Sequence, residues 1–554
     1  MRLAWSRSIA ALALALPASG QTVAFEAGGN GAGDYFGLAV AVAGDVNLDG
    51  VPDVLVGAPQ LHPGFPGPGY LRVLSGSDGS TLLTVSGDSV QDLFARAVAP
   101  AGDVDLDGWP DLLVGAPGDD DNGAQCGSVR VISGRDGSVL LDVDGAAAGD
   151  VLGTSVAGLG DVDGDGVPDF AAGAPQLASA GGYVRVLSGA GGATLALHAL
   201  GAPGDRFGSA IAAAGDVDLD GKLDLIVGAP LEDIGGTNAG SARVISSAGG
   251  AVLHTFTGVY PGGEFGNALD GAGDTDADGW PDLLVAAWKE GSGAPGVTPG
   301  SVRVFSGKSG AILWRFTGTG SDDFMGRAVG AAGDVDGDGY ADFAFAARHD
   351  NDNEHTGAVW VRSGRDGGLV RTLFGDDSED NLGLGLGASA DFNGDGYGDL
   401  AIGAPEDDHN QPREGYVRAW LGCPGRIVVY GSGCTGSGGF VPRLRIAGCP
   451  SPGDVLHFEI DRALGGSSAT LRFGRETAAV AVGGGCFQWI GKILPSTIAV
   501  PLAGSGAGDG TGQATRPVPG NVAPGSVITV QAFVVDSSGP GGLVPTNAVE
   551  LTFP

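Results

Sequence analysis

The stretch Asp103-Val-Asp-Leu-Asp-Gly-Trp-Pro-Asp111 places acids at positions one, three and five, glycine at six and a fourth acid at nine. The pattern D-x-[DN]-x-D-G-x-x-D recurs from Asp45, Asp103, Asp161, Asp216, Asp274, Asp334 and Asp391, at spacings of 58, 58, 55, 58, 60 and 57 residues. Seven near-evenly spaced copies mark an internal repeat of the size found in propellers and similar arrays.

Each copy sits in the same surroundings. In the first repeat, Leu38 to Gly44 reads as a short apolar strand A, and the aspartate loop follows. Strand B is Asp53 to Pro59, strand C Gly69 to Gly76, and strand D Thr81 to Gly87. Gln60 to Pro68 forms a variable loop between B and C, and Ser77-Asp-Gly79 a turn between C and D. These runs are short, rich in β-branched residues and bounded by Gly or Pro, as strands are. Four strands per repeat make one propeller blade. Strand C carries an arginine (Arg72, Arg130, Arg185, Arg243, Arg303, Arg418), replaced by Trp360 in the sixth repeat. Two-residue alternation sets it opposite the apolar valines and predicts an outward-facing position.

The seventh repeat stops after strand C, Gly415 to Gly422. Thr22 to Ala27 precedes Tyr35-Phe36-Gly37 as Thr81 to Gly87 precedes Phe94, so the N-terminal segment is expected to supply the missing strand and close the ring. The expected fold is all-β, a seven-bladed β-propeller followed by a small C-terminal β-sandwich. The expected division is 1–20 signal peptide, 21–423 propeller and 424–554 C-terminal domain. Arg2 and Arg7, the apolar run Ile9 to Leu16 and the small residues Ala18-Ser19-Gly20 form the leader pattern.

The chain carries 65 acidic against 29 basic residues, a formal charge of −36. That balance argues against nucleic acid and against anionic lipid as partners, and suits hard cations on oxygen ligands. No stretch after the leader is long and apolar enough to cross a membrane. Four of the five cysteines, Cys423, Cys434, Cys449 and Cys486, fall within 64 residues, and export makes disulfides plausible there.

Phe36-Gly37, Phe207-Gly208 and Phe265-Gly266, with Gly57-Ala58-Pro59, Gly115-Ala116-Pro117, Gly173-Ala174-Pro175, Gly228-Ala229-Pro230 and Gly403-Ala404-Pro405, carry a family resemblance. The chain resembles the FG-GAP repeats of integrin α-subunit propellers and their bacterial secreted relatives. It departs at Phe94-Ala95, Leu152-Gly153, Met325-Gly326 and Leu382-Gly383, and at Ala286-Ala287-Trp288 and Ala346-Ala347-Arg348. The resemblance implies calcium in the A–B loops. A second, weaker resemblance links Tyr430 to Cys434 and Gly485-Cys486 to a β-rich domain appended to secreted repeat proteins. It implies Cys434–Cys486 and Cys423–Cys449 pairing.

The loop chemistry points to the same ion. Alternate carboxylates in a tight turn, a glycine at the bend, the carbonyl at position seven and the acid at nine form an oxygen-only set that favours Ca²⁺. The expected ligands of the first loop are Asp45, Asn47, Asp49, the Val51 carbonyl and Asp53, and of the second Asp103, Asp105, Asp107, the Trp109 carbonyl and Asp111. The third offers Asp161, Asp163, Asp165, Val167 and Asp169, and the fourth Asp216, Asp218, Asp220, Lys222 and Asp224. The fifth offers Asp274, Asp276, Asp278, Trp280 and Asp282, and the sixth Asp334, Asp336, Asp338, Tyr340 and Asp342. The seventh offers Asp391, Asn393, Asp395, Tyr397 and Asp399. About seven calcium ions are expected, bound least tightly where asparagine stands at position three. An EF-hand is excluded because position twelve is apolar throughout, from Val56 to Ile402, and the flanks are strands.

Function reads as a secreted or cell-surface, calcium-binding, monomeric adhesion module for an extracellular glycan or protein ligand. No histidine sits in a hydrolase motif and no catalytic residue is assigned. A propeller-based polysaccharide lyase or hydrolase, and a structural surface component, are the alternatives. Trp288, Arg348, His349, His355 and His409 are the candidate ligand contacts, on the variable face opposite the aspartate loops.

Overall fold

A computed structural model describes residues 23–553 apart from 63, 65, 177–179, 292–297, 319–322, 349–356, 376–379, 408–411, 431–432, 452–454, 484–485, 520–521 and 524. The proposed leader lies outside the described residues.

Seven four-stranded antiparallel sheets follow one another. In the first, strands A to D are Ala39–Gly44, Asp53–Ala58, Tyr70–Leu74 and Thr81–Ser86. Strand B is wholly buried in every sheet, as the middle of a blade packed on both faces must be. Strand A of each blade neighbours strand A of the next, and that of the seventh, Gly385–Ala390, neighbours that of the first. The ring is therefore closed.

Closure uses the N-terminus. Val23–Gly28 pairs antiparallel with Tyr416–Trp420 as the outer strand of the seventh blade. Arg418 reinforces this pairing with an ion pair to Glu26 of 2.5 Å.

The FG and GAP elements meet between blades. The amide of Gly37 donates to the Gly57 carbonyl within its own blade, and Gly153 does so to Gly173. A Cβ on Gly57 would lie 2.1 Å from the Ala95 carbonyl oxygen of the next blade, and one on Gly403 would lie 2.0 Å from that of Gly37. Glycine is thus required where two backbones touch. The fifth and sixth blades substitute Ala286 and Ala346 for this glycine, and their Cβ atoms sit against Gly326 and Gly383. The large residue of the FG position is buried in every blade, including Leu152, Met325 and Leu382, so these departures keep the packing.

The strand C arginines do not face outward. Arg72, Arg130, Arg303 and Arg418 are buried, and Arg185 and Arg243 half-buried. Arg72 lies 4.6 Å from the Phe36 ring centroid and donates to the Gly28 carbonyl and Asn30. Arg130 pairs with Asp88, Asp119 and Asp142. Alternation assigns a residue to one face of its sheet, but in a propeller the neighbouring blade covers that face.

The C-terminal region holds a five-stranded and a three-stranded sheet around one apolar core that includes Leu444, Phe458, Leu471 and Val530. Thr470–Phe473 and Val480–Val482, separate apolar runs in the sequence, belong to one long strand, Ser468–Gly483. Its partner, Cys486–Pro501, similarly absorbs Phe487–Ile490 and most of Thr497–Leu502. Cys423–Cys449 is bonded, Cys434 is disulfide-bonded, and Cys126 is free and buried. The Cys434–Cys486 pairing rests on a side chain outside the described residues.

Deleting residues 21–27 is expected to lower the melting temperature far more than trimming a loose terminus, because it strips the outer strand from the seventh blade and bares a sheet edge. Calorimetry of the truncated chain checks this, and a parent-like transition would refute closure by this strand.

Candidate metal centres in the aspartate loops

Each aspartate loop joins strands A and B. Glycine at position six adopts left-handed φ in all seven, from 86° at Gly339 to 93° at Gly108. Position four is also left-handed, and Leu48, Leu106, Leu219 and Ala277 occupy it alongside three glycines. The bend turns the amides of positions five and six onto the acid at position one. Asp45 Oδ1 accepts from Asp49 N at 2.9 Å, and its Oδ2 from Gly50 N at 2.7 Å. The other six loops repeat both bonds.

The acid at position nine opens strand B and is fully buried in every blade. One oxygen accepts the amide of position two, and the other an amide at the C–D turn. For Asp111 the donors are Val104 N at 2.8 Å and Gly134 N at 3.1 Å. The same pair of bonds ties Asp53, Asp169, Asp224, Asp282, Asp342 and Asp399 to their turns. Burial outweighs these bonds and raises the carboxyls above the ordinary range. Asp111, Asp224 and Asp282 are pushed up to about 6, Asp399 to about 7 and Asp342 to about 8.

Positions one, three and nine converge. Asp103, Asp105 and Asp111 each offer an oxygen within 4.8 Å of the others. So do Asp161, Asp163 and Asp169, Asp216, Asp218 and Asp224, Asp274, Asp276 and Asp282, and Asp334, Asp336 and Asp342. Three carboxylates in so small a space, one of them buried, form a donor set that can hold a hard divalent cation. The orphaned Oδ1 of Asp336, buried without a hydrogen-bond partner, fits that reading.

Position five does not join these groups. Its Oδ1 accepts the amide of position seven, as Asp107 does from Trp109 at 3.0 Å. Its other oxygen faces the C–D turn: Asp107 meets Arg135 at 3.4 Å, Asp278 meets Lys308 at 3.5 Å, and Asp338 meets Ser363 at 3.2 Å. Arg135 covers Trp109, Lys308 covers Trp280 and Arg365 covers Tyr340, so in these three loops a cation in the turn accompanies the aromatic at position seven. The Gly-Arg-Asp-Gly stretch at 134–137 is the C–D turn, with Gly137 at φ 79°. In the first and seventh loops the asparagine at position three donates to the acid at five, Asn47 to Asp49 at 3.0 Å and Asn393 to Asp395 at 2.9 Å.

A second acidic set escaped the sequence reading. Asp34, Asp92, Asp150, Asp205, Asp323 and Asp380 stand two residues before the FG position, and all are buried. Asp34 accepts the Tyr70 hydroxyl and Asp150 the Tyr183 hydroxyl, each at 2.8 Å. Their recurrence at a fixed offset from the FG dipeptide was the available signal.

On the variable face, Trp288 is half-buried. Its Nε1 donates to Glu264 at 2.8 Å, Lys289 stands 4.4 Å from its ring centroid, and Phe324 of the next blade's entry lies 5.6 Å away. Arg348 is half-buried and its amide donates to the Asp323 carbonyl at 2.8 Å. His349, His355 and His409 lie outside the described residues. Among the described residues no helix is long and apolar enough to cross a membrane.

The FG-GAP repeat family model matches residues 36–74, 94–132, 152–187, 207–245, 325–361 and 385–420. The fifth blade lies outside these matches and is identified by its sheet. Integrin alpha-5 of Xenopus laevis is 32% identical over 262 residues, covering 46% of this chain and 20% of that protein. Integrin alpha-V of Gallus gallus is 30% identical over 211 residues, covering 35% and 20%, and integrin alpha-IIb of Homo sapiens 38% over 161 residues, covering 25% and 15%. The chain thus spans a fifth or less of the length of these relatives. A solved structure titled "Structure of Dos1 propeller" aligns with a TM-score of 0.37 at 9% identity, over 67% of this chain and 75% of that one, and at that distance carries no inference. The chain carries FG-GAP repeats, and the blades they form close into a β-propeller.

Proposed function

We propose that the chain is a secreted or cell-surface binding module whose propeller, residues 21–423, is stabilised by calcium in its aspartate loops and followed by a C-terminal domain at 424–554. Convergence of positions one, three and nine carries this reading: three carboxylates within 4.8 Å in each of five loops. In the second loop Asp103, Asp105 and Asp111 would hold the ion, whose charge offsets their mutual repulsion and the burial of Asp111. The asparagine loops, with one charge fewer, would bind most weakly. Similarity to integrin α chains favours a binding role over a catalytic one. A glycan or protein ligand would be taken on the variable face, where Trp288 and Arg348 replace the proline of the other blades.

Calcium and pH should act together. A carboxyl raised by burial is protonated more readily folded than unfolded, so its contribution is full below the ordinary carboxylate range and lost as pH rises through the folded value. In EDTA the melting temperature should therefore fall between about pH 4 and pH 8. Calcium should raise it more at pH 8 than at pH 5, where protons compete. An excess of a hundredfold over Kd adds about 2.7 kcal/mol per site. Scanning calorimetry with elemental analysis checks both signs. A melting temperature that climbs with pH in EDTA, or protein free of calcium after dialysis against it, would refute the reading.

A glycan and protein array, run beside a lyase and hydrolase panel, separates binding from turnover. Once a ligand is found, Trp288→Ala and Arg348→Ala should each weaken binding at least several-fold at unchanged calcium content. Parent-like binding by both would place the contacts elsewhere.

A further inference from the structure

The sixth aspartate loop differs from the others in what covers it. The C-terminal region begins there: the amide of Cys423 donates to the carbonyl of Val335, at position two of the loop, at 3.1 Å. Three residues on, Arg426 opens the first strand of the five-stranded C-terminal sheet, Arg426–Tyr430. Its Nε lies 3.0 Å from Asp336 Oδ2, its Nη2 3.8 Å from Asp338 Oδ2 and its Nη1 3.2 Å from Asp366 Oδ2. This strand runs beside strand D of the sixth blade, Leu369–Phe374. Arg371 of that strand donates to the Cys423 carbonyl at 3.1 Å, and the Cys423–Cys449 disulfide fastens the junction.

Asp336 is therefore shared. It belongs to the carboxylate group of the sixth loop, with Asp334 and Asp342. One of its oxygens carries the guanidinium of Arg426, while the other is buried without a hydrogen-bond partner. Among the described residues, no other loop of the ring receives a cation from the C-terminal sheets. The cations at the second and fifth loops, Arg135 and Lys308, come from the blade's own turn and reach position five rather than position three.

We propose that Arg426 is a built-in competitor of the cation in the sixth loop, so that calcium there and the docking of the C-terminal sheets oppose each other through Asp336. This inference rests on the calcium reading above. Asp334, Asp336, Asp338 and Asp342 attract Arg426 most strongly when no divalent ion offsets them. A bound Ca²⁺ removes part of that attraction, and by reciprocity the guanidinium lowers calcium affinity at this loop by the same factor. The disulfide keeps the junction covalent on either side of the equilibrium, so what changes is how tightly the first C-terminal strand is held against the sixth blade. The propeller thereby gains one loop whose occupancy is passed to the C-terminal sheets.

The test is hydrogen exchange of the full chain across a calcium titration, comparing the parent with Arg426→Gln and Arg426→Lys. Peptides covering 334–342 report the sixth loop, and peptides covering 103–111 serve as an internal control. The glutamine variant should shift the calcium midpoint of the sixth loop to about tenfold lower concentration, within the usual range of coupling between sites. Lysine, which keeps the charge, should shift it less, and the control loop should not move. In the parent, exchange in 426–430 should speed up as the sixth loop fills. An unchanged midpoint in the glutamine variant, or an equal shift in both loops, would overturn the coupling while leaving the calcium reading intact. Absence of calcium-dependent protection in every loop would overturn the calcium reading and the coupling with it.

Discussion

The aspartate at position nine is the constraint on which the rest depends. It is fully buried in every blade, and its two oxygens hold the A–B loop to the C–D turn. Placing that carboxylate beneath the loop fixes where the first and third positions come together. It also creates the problem that the loop must solve, since an ionised group away from water needs a compensating charge or a proton. A loop that supplies two further carboxylates around the same point deepens the problem without a cation and resolves it with one. The same residue thus ties the blade together and belongs to the carboxylate group that could hold the ion.

Blade-to-blade packing depends on a different contact, the approach of the FG carbonyl to the GAP glycine of the preceding blade. Because it is made by backbone, it tolerates Phe, Leu or Met at the large position, provided the side chain stays buried. Where Ala286 and Ala346 replace the glycine, the glycine of the next FG element accommodates their methyl groups. The arginines of strand C then fill the wedge between blades, stacking on FG rings and binding the ends of outer strands. Residues that carry charge in the sequence thereby become core elements, because the acids facing Arg130 and Arg303 come with them.

Much of this was legible because the repeat places each strand in one register. The nonapeptide locates seven loops, and the missing outer strand of the last blade points to Thr22 to Ala27, where the structure has Val23–Gly28. The orientation of the arginines was misread because alternation describes a single sheet and is silent about its neighbour. The contact of position five with the C–D turn is hidden for a related reason: the turn lies more than twenty residues away. In the C-terminal region, the glycines and polar residues of Ala507–Pro517 give no apolar alternation to mark it as a strand. Polar residues interrupt the apolar runs of the long strands 468–483 and 486–501, so the sequence shows only fragments of each. The docking of Arg426 on the sixth loop had no local signal at all.

The double role of position nine is the central claim, and comparing Asp111→Ala with Asp105→Ala tests it most directly. Both remove a carboxylate from the same group, but only Asp111 also accepts the two buried amides. Unfolding of each variant should be followed in EDTA and in calcium. Asp111→Ala should be destabilised in both, by about 1–3 kcal/mol or more in EDTA, since two buried donors lose their acceptor. Asp105→Ala should match or exceed the parent in EDTA, where it relieves repulsion on Asp111, and fall behind it only in calcium. Parent-like stability of Asp111→Ala in EDTA would contradict the account.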